Sequence, residues 1–159
     1  MKIYIIGVGL IGGSFAMEMR KLFPKSSIIG IDKSENNLNK AYEIGIIDKK
    51  SCLSEISDAD IIIVSVPVKS IINLLPNILD KVNKNTLVID FGSTKNSICN
   101  VIKDHPNREN FLATHPIAGT EFSGPTAAHK GLFANKNIII CDKHRTNQSS
   151  LEIALKIFK

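Results

Sequence analysis

His115 and Ser93 are the side chains of this 159-residue sequence best suited to moving a proton between a ligand and the protein. An imidazole titrates nearest neutrality, so it suits the base that takes a hydroxyl proton while hydride leaves the same carbon. Pro116 disfavours helix at His115 and should hold it on an extended segment leaving a strand. Ser93, within Asp90-Phe91-Gly92-Ser93-Thr94-Lys95, is expected to orient the imidazole or the substrate hydroxyl. Hydride needs an acceptor, and Gly7-Val8-Gly9-Leu10-Ile11-Gly12 offers a place for one. That run follows the largely apolar Lys2-Ile3-Tyr4-Ile5-Ile6 and opens a helix-like stretch, with Asp32 twenty positions beyond Gly12. The combination is the fingerprint of a dinucleotide site. Gly7 allows the tight turn, Gly9 lets the backbone approach a diphosphate, and Gly12 lets the helix pack closely on the sheet. The helix amino end, with Leu10 and Ile11, supplies unpaired N–H groups and partial positive charge. Asp32 suits the ribose hydroxyls of NAD and repels the 2′-phosphate of NADP, a repulsion that only the neighbouring Lys33 softens. The competing reading is a glycine-rich turn of another α/β domain, with Asp32 capping the next helix.

Strands must hold these residues at one edge. Residues 2 to 6, 27 to 31, 59 to 66, 86 to 91, 111 to 114 and 137 to 141 are apolar runs. Between them lie helical patterns: Leu38, Ala41 and Tyr42 after the cap Ser34 and before Gly45; Ile71, Ile72, Leu75 and Ile78, with Pro76 predicting a kink or early break; and Ile98, Val101 and Ile102. The alternation predicts an α/β fold, a doubly wound, mostly parallel Rossmann-type sheet whose ligand crevice lies at the carboxyl ends of the strands. Val66, Pro67 and Gly92 fall at such ends and join the glycine turn and Asp32 as expected cofactor contacts. Residues 1 to 145 form the dinucleotide-binding domain. Leu151, Ala154, Leu155 and Phe158 make one apolar face of a terminal helix over 146 to 159, which either docks on its own domain or leads toward a further one.

Composition narrows the partners. The net charge is +5, but Lys and Arg are scattered among Asp and Glu, with Lys81, Lys84, Lys49 and Lys50 expected on solvated helix faces. No basic stripe or stacking motif argues for nucleic acid. No apolar stretch approaches the roughly 18–20 residues of a membrane span, and a cytoplasmic protein is expected. Cys52, Cys99 and Cys141 are widely spaced and read as reduced, partly buried side chains. His105, His129 and His144 look like surface residues, and no metal spacing occurs.

Gly7 to Ser14, Asp90 to Lys95, and His115-Pro116-Ile117-Ala118-Gly119-Thr120-Glu121-Phe122-Ser123-Gly124 together resemble the prephenate/arogenate dehydrogenase family of tyrosine biosynthesis. The similarity runs from residue 1 to about residue 145 and includes Ala127 and Leu132-Phe133. The resemblance implies NAD-dependent oxidative decarboxylation of prephenate to 4-hydroxyphenylpyruvate. By position it makes His115 the catalytic histidine and Ser93 the serine that positions the hydroxyl, with Thr120 and Glu121 lining the substrate entrance. It also implies a helical dimerisation domain, which this chain would lack, so that the chain alone binds NAD yet turns over prephenate poorly. Arogenate dehydrogenase and a non-catalytic NAD-binding module are the alternatives.

Overall fold

The computed structural model describes residues 1–159, and its centre is a single sheet of seven strands. These are β1 (Lys2–Ile6), β2 (Ser27–Ile31), β3 (Lys49–Lys50), β4 (Ile61–Val64), β5 (Leu87–Asp90), β6 (Phe111–Pro116) and β7 (Ile138–Cys141). Their order is β3-β2-β1-β4-β5-β6-β7, parallel throughout except for the antiparallel pair β6 and β7. The helices are α1 (Leu10–Leu22), α2 (Glu35–Glu43), α3 (Val68–Lys81), α4 (Asn96–Val101) and α5 (Gln148–Ile157).

Successive strand residues face opposite sides, so an unbroken apolar run needs cover on both. Ile3, Ile5, Ile61, Ile63 and Ile89 share a core with Phe15 and Met19 of α1, Ala41 of α2 and Ala154 of α5. Tyr4, Ile6, Ile62, Val64 and Val88 share the other with Ile71, Leu75, Ile78 and Leu79 of α3 and Ile98 of α4. Local signals agree with the elements. Ser34 caps α2 by accepting from the Asn37 amide at 3.3 Å, and Gly45 follows that helix in the left-handed region at φ 73°.

Several expectations need correction. Pro76 does not end α3, which runs on to Lys81. Ile71, Leu75, Ile78 and Leu79 are all fully buried on either side of it. At roughly 1.5–3 kcal/mol each they outweigh an interior proline's cost of roughly 3 kcal/mol. On α5 the buried positions are Ser150, Ala154 and Ile157, while Leu155 is exposed. It lies about 100° around the helix from Ala154, on the flank of the buried face. Lys49 and Lys50 form β3 and Lys84 sits in a turn, leaving only Lys81 of that group on a helix. Cys52 is exposed, whereas Cys99 and Cys141 are half-buried. His105 is not a free surface residue: its ring contacts Asp80 at 3.1 Å and accepts from the Asn107 amide at 3.1 Å, with the side chain 12% exposed. No helix is long and apolar enough to cross a membrane.

Candidate active site at the carboxyl edge of the sheet

From β1 the chain winds outward to β2 and β3, then returns to place β4 on the other side of β1. A crevice opens where the direction of winding changes. Gly7 turns there with φ 93°, its amide donating to Ile31 O at 2.8 Å. Ser65, just past β4, donates its amide to Ile6 O at 2.8 Å and its hydroxyl to Gly7 O at 2.7 Å, tying the two strand ends together. A Cβ on Gly12 would collide with the Gly7 carbonyl oxygen and the Ser65 hydroxyl. Gly12 is thus required by helix packing. Gly9 is different: a Cβ there would meet nothing within 4 Å, so its side faces open space.

The amino end of α1 is prepared for an anion. Gly9 caps it without a side-chain hydrogen bond, and its first turn has no acidic residue. The amides of Gly9, Leu10, Ile11 and Gly12 donate to nothing in the chain, and the first one satisfied is Gly13, bonded to Gly9 O at 2.8 Å. Four unpaired donors at the positive end of a 13-residue helix suit a diphosphate. Asp32 accepts from the Val8 amide at 3.0 Å through Oδ2 and from the Ser34 amide at 2.8 Å through Oδ1. It therefore joins the glycine turn to the start of α2, and each oxygen keeps acceptor capacity for a further donor.

Beside the glycine turn lies a crevice of about 320 Å³ lined by Ile11, Ser65, Val66, Pro67, Gly92 and Ser93. Phe91, which forms its floor, packs edge-on against Phe15 of α1 with ring centroids 4.7 Å apart. Below Ser93 sits a polar network that sequence reasoning missed. Asp90 is fully buried and accepts from the Gly92 amide at 2.9 Å, from the Thr114 amide at 3.2 Å and from the Lys95 ammonium. Lys95 also donates to Thr114 O at 2.7 Å, and the Thr114 hydroxyl donates to Asp90 O at 2.7 Å. Burial pushes the Asp90 carboxyl above the usual carboxylate range, against the pull of Lys95 and the two amides. One signal was available: a carboxylate closing an apolar strand needs a counter-charge, and Lys95 is five residues away.

His115 stands next to Thr114 on β6, opposite Ile139 of β7. Its Nδ1 is buried without a hydrogen-bond partner. A second crevice, about 370 Å³, is lined by His115, Pro116, Ile117, Ala118, Gly119 and Lys136. Ser93, past the end of β5, and His115, near the end of the neighbouring β6, thus lie in adjacent crevices, with no hydrogen bond between them. Thr120 and Glu121 are exposed on the loop beyond, where the Thr120 hydroxyl accepts from the Phe122 amide at 3.2 Å.

Glycine turn, open helix end and switch-point crevice define a class, the doubly wound nucleotide-binding domains. The chain belongs to the family described as prephenate dehydrogenase, nucleotide-binding domain, whose match covers residues 15–159 and so includes Ser93 and His115. Prephenate dehydrogenase of Bacillus subtilis (strain 168) is 32% identical over 161 residues, covering 99% of this chain and 43% of that protein. The Lactococcus lactis subsp. cremoris (strain MG1363) enzyme of the same name is 38% identical over 146 residues, covering 89% and 41%. This chain therefore spans less than half the length of either relative. Among solved structures, prephenate dehydrogenase from A. aeolicus in complex with hydroxyphenyl propionate and NAD+ superposes with a TM-score of 0.87 at 28% identity, covering 99% of this chain and 56% of that one.

Proposed function

We propose that this chain is the cofactor domain of a prephenate dehydrogenase, acting in NAD-dependent oxidative decarboxylation of prephenate to 4-hydroxyphenylpyruvate. The observation that carries the reading is the row of four unpaired amides at α1 beside an open Gly9, with a histidine crevice next along the same edge. Gly7, Gly9, Leu10, Ile11 and Gly12 hold the diphosphate, Asp32 the adenine-side ribose, and Val66, Pro67 and Gly92 line the nicotinamide end. Bound NAD supplies the hydride acceptor. His115 takes the proton of the ring hydroxyl, and Ser93 positions that hydroxyl from the adjoining strand end. Thr120 and Glu121 border the entrance. The domain occupies residues 1 to 145, with 146 to 159 leading toward a helical dimerisation domain of a cytoplasmic homodimer.

Calorimetric titration with NAD and NADP tests the cofactor assignment: NAD binds the chain more tightly, and equal binding or none overturns it. In the complete gene product, His115→Asn lowers prephenate-dependent NADH formation by roughly 10²–10⁴-fold with NAD affinity unchanged. Equal losses of both assign His115 a structural role instead.

A further inference from the structure

We propose that Ser65 is a positioning residue for the coenzyme: together with Asp32 it clamps the Gly7–Val8 peptide and so holds the glycine turn in the shape that receives a diphosphate. The inference rests on the dinucleotide reading of that turn and adds to it a residue from the end of β4. The clamp has two jaws. Gly7 and Val8 are buried, and the peptide between them turns its oxygen toward β4 and its N–H toward β2. The oxygen accepts from the Ser65 hydroxyl at 2.7 Å, and the N–H donates to Asp32 Oδ2 at 3.0 Å. No backbone amide donates to Gly7 O, so the Ser65 hydroxyl is its donor within the chain. Ser65 is itself fixed: its amide donates to Ile6 O at 2.8 Å, and its Oγ stands against Gly12, in the space that a Cβ there would take.

This peptide is where the turn is softest. Gly7 sits at φ 93° without a Cβ, so the peptide plane that follows it rotates at little steric cost. Rotation carries the Val8 amide off Asp32 and alters the chain's entry into Gly9 to Gly12, whose amides are the unpaired donors of α1. With both ends of the peptide held, the turn is set for the anion before it arrives, and binding has little further order to impose. Without the hydroxyl, a buried carbonyl is left unpaired, and the peptide turns to reach another donor. The competent turn then makes up only a fraction of the free molecules, and the apparent affinity falls by that fraction.

The test titrates this chain by calorimetry with NAD and with ADP-ribose, which carries the diphosphate but no nicotinamide, and follows amide hydrogen exchange of the free chain by NMR. Ser65→Ala weakens both ligands by the same factor, roughly tenfold. In the free variant the Val8 amide exchanges faster, and by more than the Ile5 and Ile63 amides inside the sheet. Ser65→Cys, a weaker donor of similar size, falls between and carries the test should the alanine variant not fold. A lowered melting temperature with ligand affinity and Val8 exchange unaltered overturns the inference, because the hydroxyl is then a purely structural tie. A loss for NAD but not for ADP-ribose overturns it too, since Ser65 also lines the crevice beside Ser93 and would then act on the nicotinamide end. Failure of the unaltered chain to bind either ligand strikes the dinucleotide reading instead.

Discussion

Lys95 donates to the main-chain oxygen of Thr114 at 2.7 Å, so the loop that carries Ser93 is fastened to the residue preceding His115. The same ammonium neutralises Asp90, whose side chain is wholly buried while that of Lys95 is 12% exposed. Two expected catalytic positions, one on the loop after β5 and one on β6, are therefore set relative to each other by one lysine and its buried carboxylate.

Breaking that pair leaves Asp90 without a counter-charge. Lys95→Met lowers the unfolding free energy by about 3–5 kcal/mol at neutral pH. Burial raises the folded-state pKa of Asp90 above its unfolded value. Folding therefore favours the protonated acid, and that stabilising contribution is full below the unfolded pKa and lost as pH rises through the folded one. Without Lys95 the rise is larger, so the variant's deficit shrinks as the solution is acidified. Urea unfolding at several pH values measures it, and a deficit independent of pH would contradict the account.

Gly9 and Gly12 separate binding from folding within one motif. Gly12→Ala forces a Cβ into the Gly7 carbonyl and the Ser65 hydroxyl and costs about 1–3 kcal/mol of stability. Gly9→Ala meets open space and leaves the melting temperature unchanged, but obstructs the approach of the diphosphate and weakens NAD binding at least about tenfold. Thermal melts paired with calorimetry distinguish the two, and identical behaviour of both variants would refute the division.

Tyr4 gives an alkaline signature. Its hydroxyl donates to Glu55 O at 2.9 Å and to Asp58 Oδ1 at 2.8 Å beneath the sheet, and it is nearly buried. Burial first, then the hydrogen bond and charge of Asp58, push its pKa up to about 12. The stabilisation is complete below the unfolded value of about 10 and is lost as pH rises through about 12. Absorbance titration of Tyr42→Phe, which leaves Tyr4 as the single phenol, reads a midpoint near that value. Tyr4→Phe costs roughly 1–2 kcal/mol at neutral pH, a gap that closes toward the alkaline limit.

Much of the fold was legible because its signals are local. Continuous runs such as Ile61 to Val64 demand burial on both faces, and Ser34 and Gly45 mark the ends of α2. β3 was invisible, since Lys49 and Lys50 have no apolar pattern and pair with β2 only through their backbone. The direction of β7 was equally hidden, because Ile138 to Cys141 reads the same whether parallel or antiparallel. At the site, the glycine turn showed itself through residue type and spacing. Asp90 and Lys95 did not, because their significance depends on where neighbouring strands bring them.

Asp32 also constrains how coenzyme choice could change. Both its oxygens already hold backbone amides, one in the glycine turn and one at the start of α2. Replacing it with a small apolar side chain to admit a 2′-phosphate would strand those two amides and loosen the very loop that grips the diphosphate. Redesign toward NADP must therefore keep an acceptor at residue 32 and introduce the new positive charge from a neighbour.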